Sequence, residues 1–325
     1  MSIARYGRLG LKYVTGHKPQ GVGLILTRRC NIDCSYCKIK DNSRKDDELS
    51  VEQWKGIIDK FVSNKHMHFI FTGGEPLLYE GVYELIDHAS RNSVTSLITN
   101  TSLLDDESFS KLRNLDFLTF SCDTYKKSDN LSKHTTDKFK MIAENCKKQR
   151  IKPSVIITVT SKNTKEVPMM IREASRYGIS SLLSLIHSDK GDFDFRGYAP
   201  FLEFRTEEEI NKLKELQRRI LNMKRRGYKI SEDDYFIENM INYAKKDFQI
   251  ECPATDPFFT IDCDGRIKPC HDIKASDVNA LEFTDYSSMK EKVANVVPNK
   301  CNCYYDCYVN NASSKIQLLK RSLRR

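Results

Sequence analysis

The sequence predicts an α/β fold, a partial (β/α)6 barrel followed by a small cysteine-rich C-terminal extension. Three observations lead there. Short β-branched apolar runs recur between residues 22 and 186, with helix-like stretches between them. The runs are continuous instead of alternating, as in a parallel sheet covered on both faces. Past about residue 190 the βα period stops, and six cysteines gather between 252 and 307.

The elements follow in order. VGLILT (22–27) reads as the first strand. Residues 51–63 read as a helix: Ser50 is an N-cap, and Trp54, Ile57, Ile58, Phe61 and Val62 share one face. Further strands are expected at 68–72, 94–99, 115–121, 154–160 and 180–186, with helices at 82–90, 105–114, 136–149 and 167–178, the last ended by Gly178. Thr206 and Glu209 form a capping box at the head of a long helix over 206–227. A second helix is expected over 231–246. This divides the chain into a barrel (1–203), a helical linker (204–250) and an extension (251–325). Ligand chemistry in such barrels sits at the carboxyl ends of the strands, where the loop after the first strand lies.

With 39% hydrophobic and 30% charged residues the composition is that of a water-soluble chain. It holds no run of about 18 apolar residues, so no membrane-spanning helix is expected. The N-terminus lacks the apolar stretch of a secretory signal, so a cytoplasmic location is expected, where thiols stay reduced. Clustered cysteines there indicate metal or redox chemistry more than disulfides. Cys122 and Cys146 stand apart in apolar or helical surroundings and read as structural. The net charge of +9 is concentrated at the ends: residues 1–29 hold six basic side chains, residues 315–325 hold five, and neither segment has an acid. Such ends suit peripheral contact with an anionic surface, or are solvated terminal helices. No nucleic-acid-binding module is recognisable.

Residues 28–40, RRCNIDCSYCKIK, set Cys30, Cys34 and Cys37 at a C-x3-C-x2-C spacing with no fourth cysteine nearby. A structural zinc site wants four ligands, whereas a catalytic metal site keeps one position open. Three thiolates hold three corners of a [4Fe–4S] cluster and leave one iron without a protein ligand. Asn31 and Asp33 favour non-helical backbone there, and the loop amides can donate to cluster sulfurs. The alternative is a zinc site completed by His66 or His68. At the end of the second strand, FTGGEPLL (71–78) offers Gly73 and Gly74, where the missing Cβ lets the backbone approach a ligand.

CNIDCSYC, with aromatic Tyr36 before its last cysteine, resembles the signature loop of the radical S-adenosylmethionine (SAM) enzymes, and FTGGEPLL is similar to their glycine-rich motif. The resemblance implies a partial barrel of the radical SAM type. It implies that Cys30, Cys34 and Cys37 hold a [4Fe–4S] cluster whose open iron is chelated by SAM. Gly73, Gly74 and Glu75 would face the SAM amino group. Asn100 matches the family's strand-three motif, although Thr101 replaces the usual glycine. Ser121 and Asp123 match polar residues at the end of strand four, and Thr158 or Asn163 would touch the ribose or carboxylate. Reductive cleavage of SAM gives a 5′-deoxyadenosyl radical that abstracts hydrogen from substrate. The electron comes from a donor such as flavodoxin or ferredoxin.

Cys252 and Cys270 frame a C-x12-G-x4-C pattern through Gly265, followed by CNCYYDC. This resembles the SPASM or twitch extension of radical SAM enzymes, but its C-x-C-x3-C block departs from the full SPASM pattern. The resemblance implies one auxiliary [4Fe–4S] cluster, held by Cys252, Cys270 and two of Cys301, Cys303 and Cys307, with Cys263 as the spare. Zinc is the alternative. Many such enzymes modify ribosomally made peptides, which is the expected substrate class; small-molecule dehydrogenation, or transfer on a lipid or nucleic acid, is the other. Only 29 residues precede Cys30, too few for the N-terminal peptide-recognition domain such enzymes often carry, which counts against the peptide reading unless a separate partner delivers the leader. A non-enzymatic iron–sulfur or zinc protein is disfavoured by GGEP and the βα pattern.

Overall fold

Seven consecutive buried residues, Gly21–Thr27, form β1 near the middle of an eight-stranded sheet. The computed structural model describes residues 21–39, 47–63, 68–125, 136–187, 197–255, 258–282 and 284–304. The basic ends other than 21–29, and Cys307 and His66 with them, lie outside the described residues.

From β1 the chain alternates as expected. Helix α1 (Val51–Ser63) leads to β2 (His68–Gly73), α2 (Val82–Ser90) to β3 (Val94–Thr99), and α3 (Asp106–Lys111) to β4 (Phe117–Cys122). Helix α4 (Phe139–Gln149) precedes β5 (Lys152–Val159), and α5 (Val167–Arg176) precedes β6 (Ser180–Leu185). Strands β1 to β6 pair in parallel with sequential neighbours. Helices cover the sheet through apolar faces such as Trp54, Ile57, Ile58 and Phe61 of α1, all buried. Their burial, at about 25 cal/mol per Å² of apolar surface, is the main attraction holding layer to layer.

The segment after β6 holds two helices, α6 (Glu207–Arg225) and α7 (Asp234–Ala244). The Thr206–Glu209 capping box forms in both directions: the Glu209 amide donates to Thr206 Oγ1 at 3.2 Å, and the Thr206 amide to Glu209 Oε2 at 3.0 Å. Helix α7 starts three residues later than the sequence pattern suggests. Residues 229–231 are used instead to cover the outer edge of β6, with Ser181 N donating to Lys229 O and Ser231 N to Ser181 O. Capping that edge removes exposed ladder groups.

The extension is not set apart from the barrel sheet. Its β8 (Phe258–Ile261) pairs in parallel with β1, and β9 (Ile267–Lys268) turns back on β8. The strand order is therefore β6-β5-β4-β3-β2-β1-β8-β9, eight strands where six were expected. A second small sheet pairs β7 (Ile250–Glu251) with β10 (Lys300–Cys301), after helix α8 (Tyr286–Val293). Because β8 runs parallel to β1, the residues following each strand emerge at the same end. No helix among the described residues is long and apolar enough to cross a membrane.

His68 begins β2, so it lies at the opposite end of that strand from Gly73, roughly 16 Å away at the usual rise per residue. It therefore does not complete a zinc site with the cysteine loop. Its ring accepts or donates to Ser96 Oγ at 2.7 Å. Burial lowers its pKa to about 4. The unfolded chain thus takes up a proton first as pH falls, so the stability contributed by neutral His68 is complete above about 6.5 and is lost towards pH 4. Between pH 7 and pH 5 this group should remove on the order of 1–2 kcal/mol of unfolding free energy. Denaturant titration of His68→Gln at both pH values should show a correspondingly flatter dependence; an unchanged slope contradicts the assignment.

Candidate active site

The segment that carries Cys30, Cys34 and Cys37 is fastened where it leaves the barrel. Arg29 donates from Nε and Nη2 to the two carboxylate oxygens of Glu48 at 2.8 and 3.0 Å, and again from Nη2 to Leu78 O at 3.0 Å. Thr27 Oγ1 also bonds Glu48 and accepts the Arg29 amide at 3.0 Å. The pair closes the neck of the loop, and its two-pronged geometry fixes direction as well as distance. On the other side Arg28 reaches Asp262 at the end of β8. Within the loop, the Cys37 amide donates to Cys34 O at 3.0 Å.

The Gly73–Gly74 pair is explained by close backbone packing. A Cβ on Gly73, whose φ is +146°, would lie 2.3 Å from Thr27 O, and one on Gly74 would lie 2.3 Å from Arg29 O. The amides of Gly74 and Glu75 donate to those same carbonyls at 2.8 and 2.9 Å. The glycines thus let the turn after β2 press directly on the base of the cysteine loop. Glu75 is fully buried. Its Oε1 accepts Leu77 N at 3.0 Å and Thr99 Oγ1 at 2.8 Å, and its Oε2 accepts Asn100 N at 2.7 Å. Burial raises its pKa against those bonds.

Asn100 then carries the connection back to the cysteines. Its Nδ2 lies 3.8 Å from Cys30 Sγ and donates to Asn31 Oδ1 at 2.9 Å, while Asn31 Nδ2 donates to Ser102 Oγ at 2.8 Å. Thr101, where the resembled family has glycine, takes a φ of 65°. That left-handed conformation strains a β-branched residue.

Tyr36 ties the far half of the loop to strands four and five. Its phenol donates to Asp123 Oδ2 at 2.7 Å and stands near Thr158. The ring packs on Ile186, Ala199 and Leu202, and Gly197 N donates to Tyr36 O at 2.8 Å. A Cβ at Gly197 would meet the Tyr36 carbonyl carbon at 2.9 Å, so this position too needs glycine. Burial, then the charge of Asp123, pushes the Cys34 thiol up to about 12. Asn163 donates from Nδ2 to Asp123 O and Thr158 O at 2.8 and 2.7 Å, and its Oδ1 accepts Thr160 N at 2.9 Å. Its contacts join the ends of β4 and β5. Ser121 is half-buried in β4, and Thr158 is buried in β5.

The second thiol group is assembled by the β7–β10 ribbon and the end of β9. The Cys252 thiol shares a hydrogen bond with the free thiol of Cys301, which with burial raises its pKa, and Cys270 lies within electrostatic reach of both. Burial, then Asp272, pushes Cys270 up to about 11. Cys303 donates its amide to Cys301 Sγ at 3.3 Å. Cys270, Cys301 and Cys303 line one cavity of about 520 Å³ together with Lys274 and Lys300. Cys263 lies elsewhere, after β8 beside Asp262 and Arg28. Among the described residues, no three His, Cys, Asp or Glu side chains are grouped so as to hold a single metal ion. Sequence patterns did not single out Arg28, Arg29, Glu48, Gly197 or Asp262. The doubled arginine before Cys30 was the available signal, read only as net charge.

The chain is similar to known proteins in sequence and in fold. The Radical SAM superfamily model matches residues 24–174. Fe-coproporphyrin III synthase of Methanosarcina barkeri is 29% identical over 157 residues, which is 44% of this chain and 38% of that protein. PqqA peptide cyclase of Bradyrhizobium diazoefficiens is 34% identical over 96 residues, 29% of this chain and 25% of that protein. The chain thus spans well under half the length of these two relatives. The crystal structure of Streptococcus suis SuiB bound to S-adenosylmethionine superposes with a TM-score of 0.65 at 14% identity, over 88% of this chain and 69% of that one. At that identity the likeness concerns the fold.

Gly74→Ala should destabilise the protein by about 1–3 kcal/mol, because the new methyl must displace the Arg29 carbonyl. Gly56→Ala, exposed in α1 with nothing within 4 Å of the new Cβ, should instead stabilise by about 0.5–1 kcal/mol. Denaturation midpoints of the two variants measure both, and equal effects would refute the close-approach account.

Proposed function

We propose, from the premise that the chain carries a radical SAM domain over residues 24–174, that it is an enzyme that uses SAM to modify a peptide or protein substrate. The observation that supports this most directly is the placement of Cys30, Cys34 and Cys37. They share one loop, fastened at its neck by Arg29–Glu48 and set at the carboxyl end of β1 against the Gly73–Glu75 turn. The donor set fits the group: three thiols with Asn100 Nδ2 beside Cys30 Sγ, and no fourth thiol in the loop. Cys30, Cys34 and Cys37 would hold a [4Fe–4S] cluster, which when reduced would supply the one electron needed for homolytic cleavage of SAM and so for hydrogen abstraction from the substrate.

The chain's own residues hold and orient. The amides of Gly74 and Glu75 are already given to Thr27 and Arg29, so the SAM amino group is met by carbonyls of that turn. Glu75 acts mainly by fixing Thr99 and Asn100. Asp123 and Thr158 both engage the Tyr36 hydroxyl and position it, leaving Ser121 as the polar group at this end of β4. In the extension, Cys252 and Cys270 with two of Cys301, Cys303 and Cys307 would hold one auxiliary [4Fe–4S] cluster. The electron donor is a flavodoxin or ferredoxin. The peptide reading draws support from the match to a peptide cyclase. A small-molecule substrate is the second reading, favoured by the longer match to a coproporphyrin enzyme.

Anaerobic reconstitution should load about eight irons, and Cys30→Ala/Cys34→Ala/Cys37→Ala should leave about four. Dithionite-reduced wild type should release 5′-deoxyadenosine from SAM, seen by chromatography; its absence from fully loaded protein sinks the proposal. Cys252→Ala/Cys270→Ala should keep 5′-deoxyadenosine formation while losing the auxiliary cluster. Stoichiometric zinc in the anaerobically purified protein would instead establish a zinc site.

A further inference from the structure

Arg28 and Asp262 meet from far apart in the chain. Arg28 Nε donates to Asp262 Oδ1 at 3.1 Å, and Nη2 bonds Oδ2, so the pair is two-pronged. Asp262 is only 1% exposed and also accepts the Cys263 amide at 2.8 Å. Lys268, fully buried on β9, adds its positive charge to the same carboxylate. Burial pushes the Asp262 carboxyl up, but Arg28 and then Lys268 outweigh it and hold the group below the usual carboxylate range. The pair is therefore charged.

A buried ion pair is weak evidence for stability, because desolvation offsets most of the attraction. Its position says more. Arg28 is two residues before Cys30, Asp262 directly follows β8, and Lys268 is two residues before Cys270. The pairing of β1 with β8 brings these together at the strands' carboxyl ends. A full positive and a full negative charge thus stand at the entrance of the thiol loop, one from the barrel and one from the extension. Net charge and hydrogen bonding near an iron–sulfur cluster set its reduction potential.

We infer that Arg28 and Asp262 are a positioning pair by which the extension sets the reduction potential of the cluster held by Cys30, Cys34 and Cys37. The inference rests on the radical SAM reading above. With the pair intact Asp262 offsets Arg28 at the loop, and the charge of Lys268 is the same in every variant below. Removing Asp262 leaves Arg28 uncompensated and makes reduction easier; removing Arg28 leaves Asp262 facing the loop and makes it harder.

The test is an EPR-monitored redox titration of fully reconstituted full-length protein, following the cluster signal that changes when SAM is added. Asp262→Asn should raise the midpoint potential and Arg28→Gln should lower it, each changing the reduced-to-oxidised ratio at a fixed potential by roughly threefold to tenfold. The double variant should return near wild type. Arg28→Lys, which keeps the charge, should stay near wild type as well. A purely structural pair predicts that both single variants shift the same way and the double does not recover; that result, or no shift in either, overturns the inference. Where Arg28→Gln loses iron, Asp262→Asn and Arg28→Lys decide: a raised potential in the first and an unchanged one in the second support it, and any other combination rejects it. A wild type with no SAM-responsive signal overturns the radical SAM reading instead, and the inference falls with it.

Discussion

The bond between Arg29 and Glu48 is a two-pronged clasp across the neck of a long loop that contains all three barrel thiols. A loop of this length has an entropic cost of closure that grows only slowly with its size, so the clasp needs little energy to hold the ends but a defined geometry to aim them. A bidentate arginine–carboxylate pair supplies that geometry. Glu48 is nearly covered, its side chain 5% exposed, so water does not screen the pair as it would on the open surface. The thiols, the turn after β2 and the side chains at the ends of β3 and β4 all take their places relative to this neck.

The glycine pair and the buried carboxylate beside it work together on that arrangement. Gly73 and Gly74 allow two backbones to touch, and their neighbour Glu75 then spends both oxygens on Leu77, Thr99 and Asn100. An isolated buried carboxylate is costly to desolvate, and three donors make this one tolerable. Asn100 is held by its amide in Glu75 and by its side chain near Cys30. The motif therefore acts on the cysteine loop through a relay of short contacts. Asn163 plays the matching part between β4 and β5, and Tyr36–Asp123 closes the circuit from the opposite side.

The periodic part of this protein was legible because periodicity is what burial writes into sequence. Each of the six barrel strands appears within two residues of its expected bounds, since a buried parallel strand must be apolar throughout. The Thr206 capping box was legible for a local reason: its two hydrogen bonds join residues three apart. What escaped was non-local. Nothing in the residues around 258–268 says that they will lie against β1, because β8 is short and pairing partners are set by the folded sheet. The same holds for Asp262, whose role exists only once β8 is beside β1. Gly197 looked like an ordinary loop glycine, and only the approach of Tyr36 shows why a side chain there would clash.

That placement of β8 changes how the extension is to be understood. A domain tethered after a barrel would influence the barrel's site only through a movable interface. Here β8 continues the hydrogen-bonded ladder of β1, β9 folds back on β8, and the next residues run straight to Cys270. Further on, Tyr304 returns the chain to the helical layer, its ring tilted against Phe236 and stacked on Tyr243 with centroids 4.4 and 4.7 Å away, and its amide donating to His187 Nε2 at 3.2 Å. Cys270 thus follows directly from the barrel sheet, whereas Cys252 and Cys301 belong to the small β7–β10 sheet. A substitution in β8 therefore reaches the thiol loop and Cys270 through close-packed, hydrogen-bonded strands, not through a movable interface.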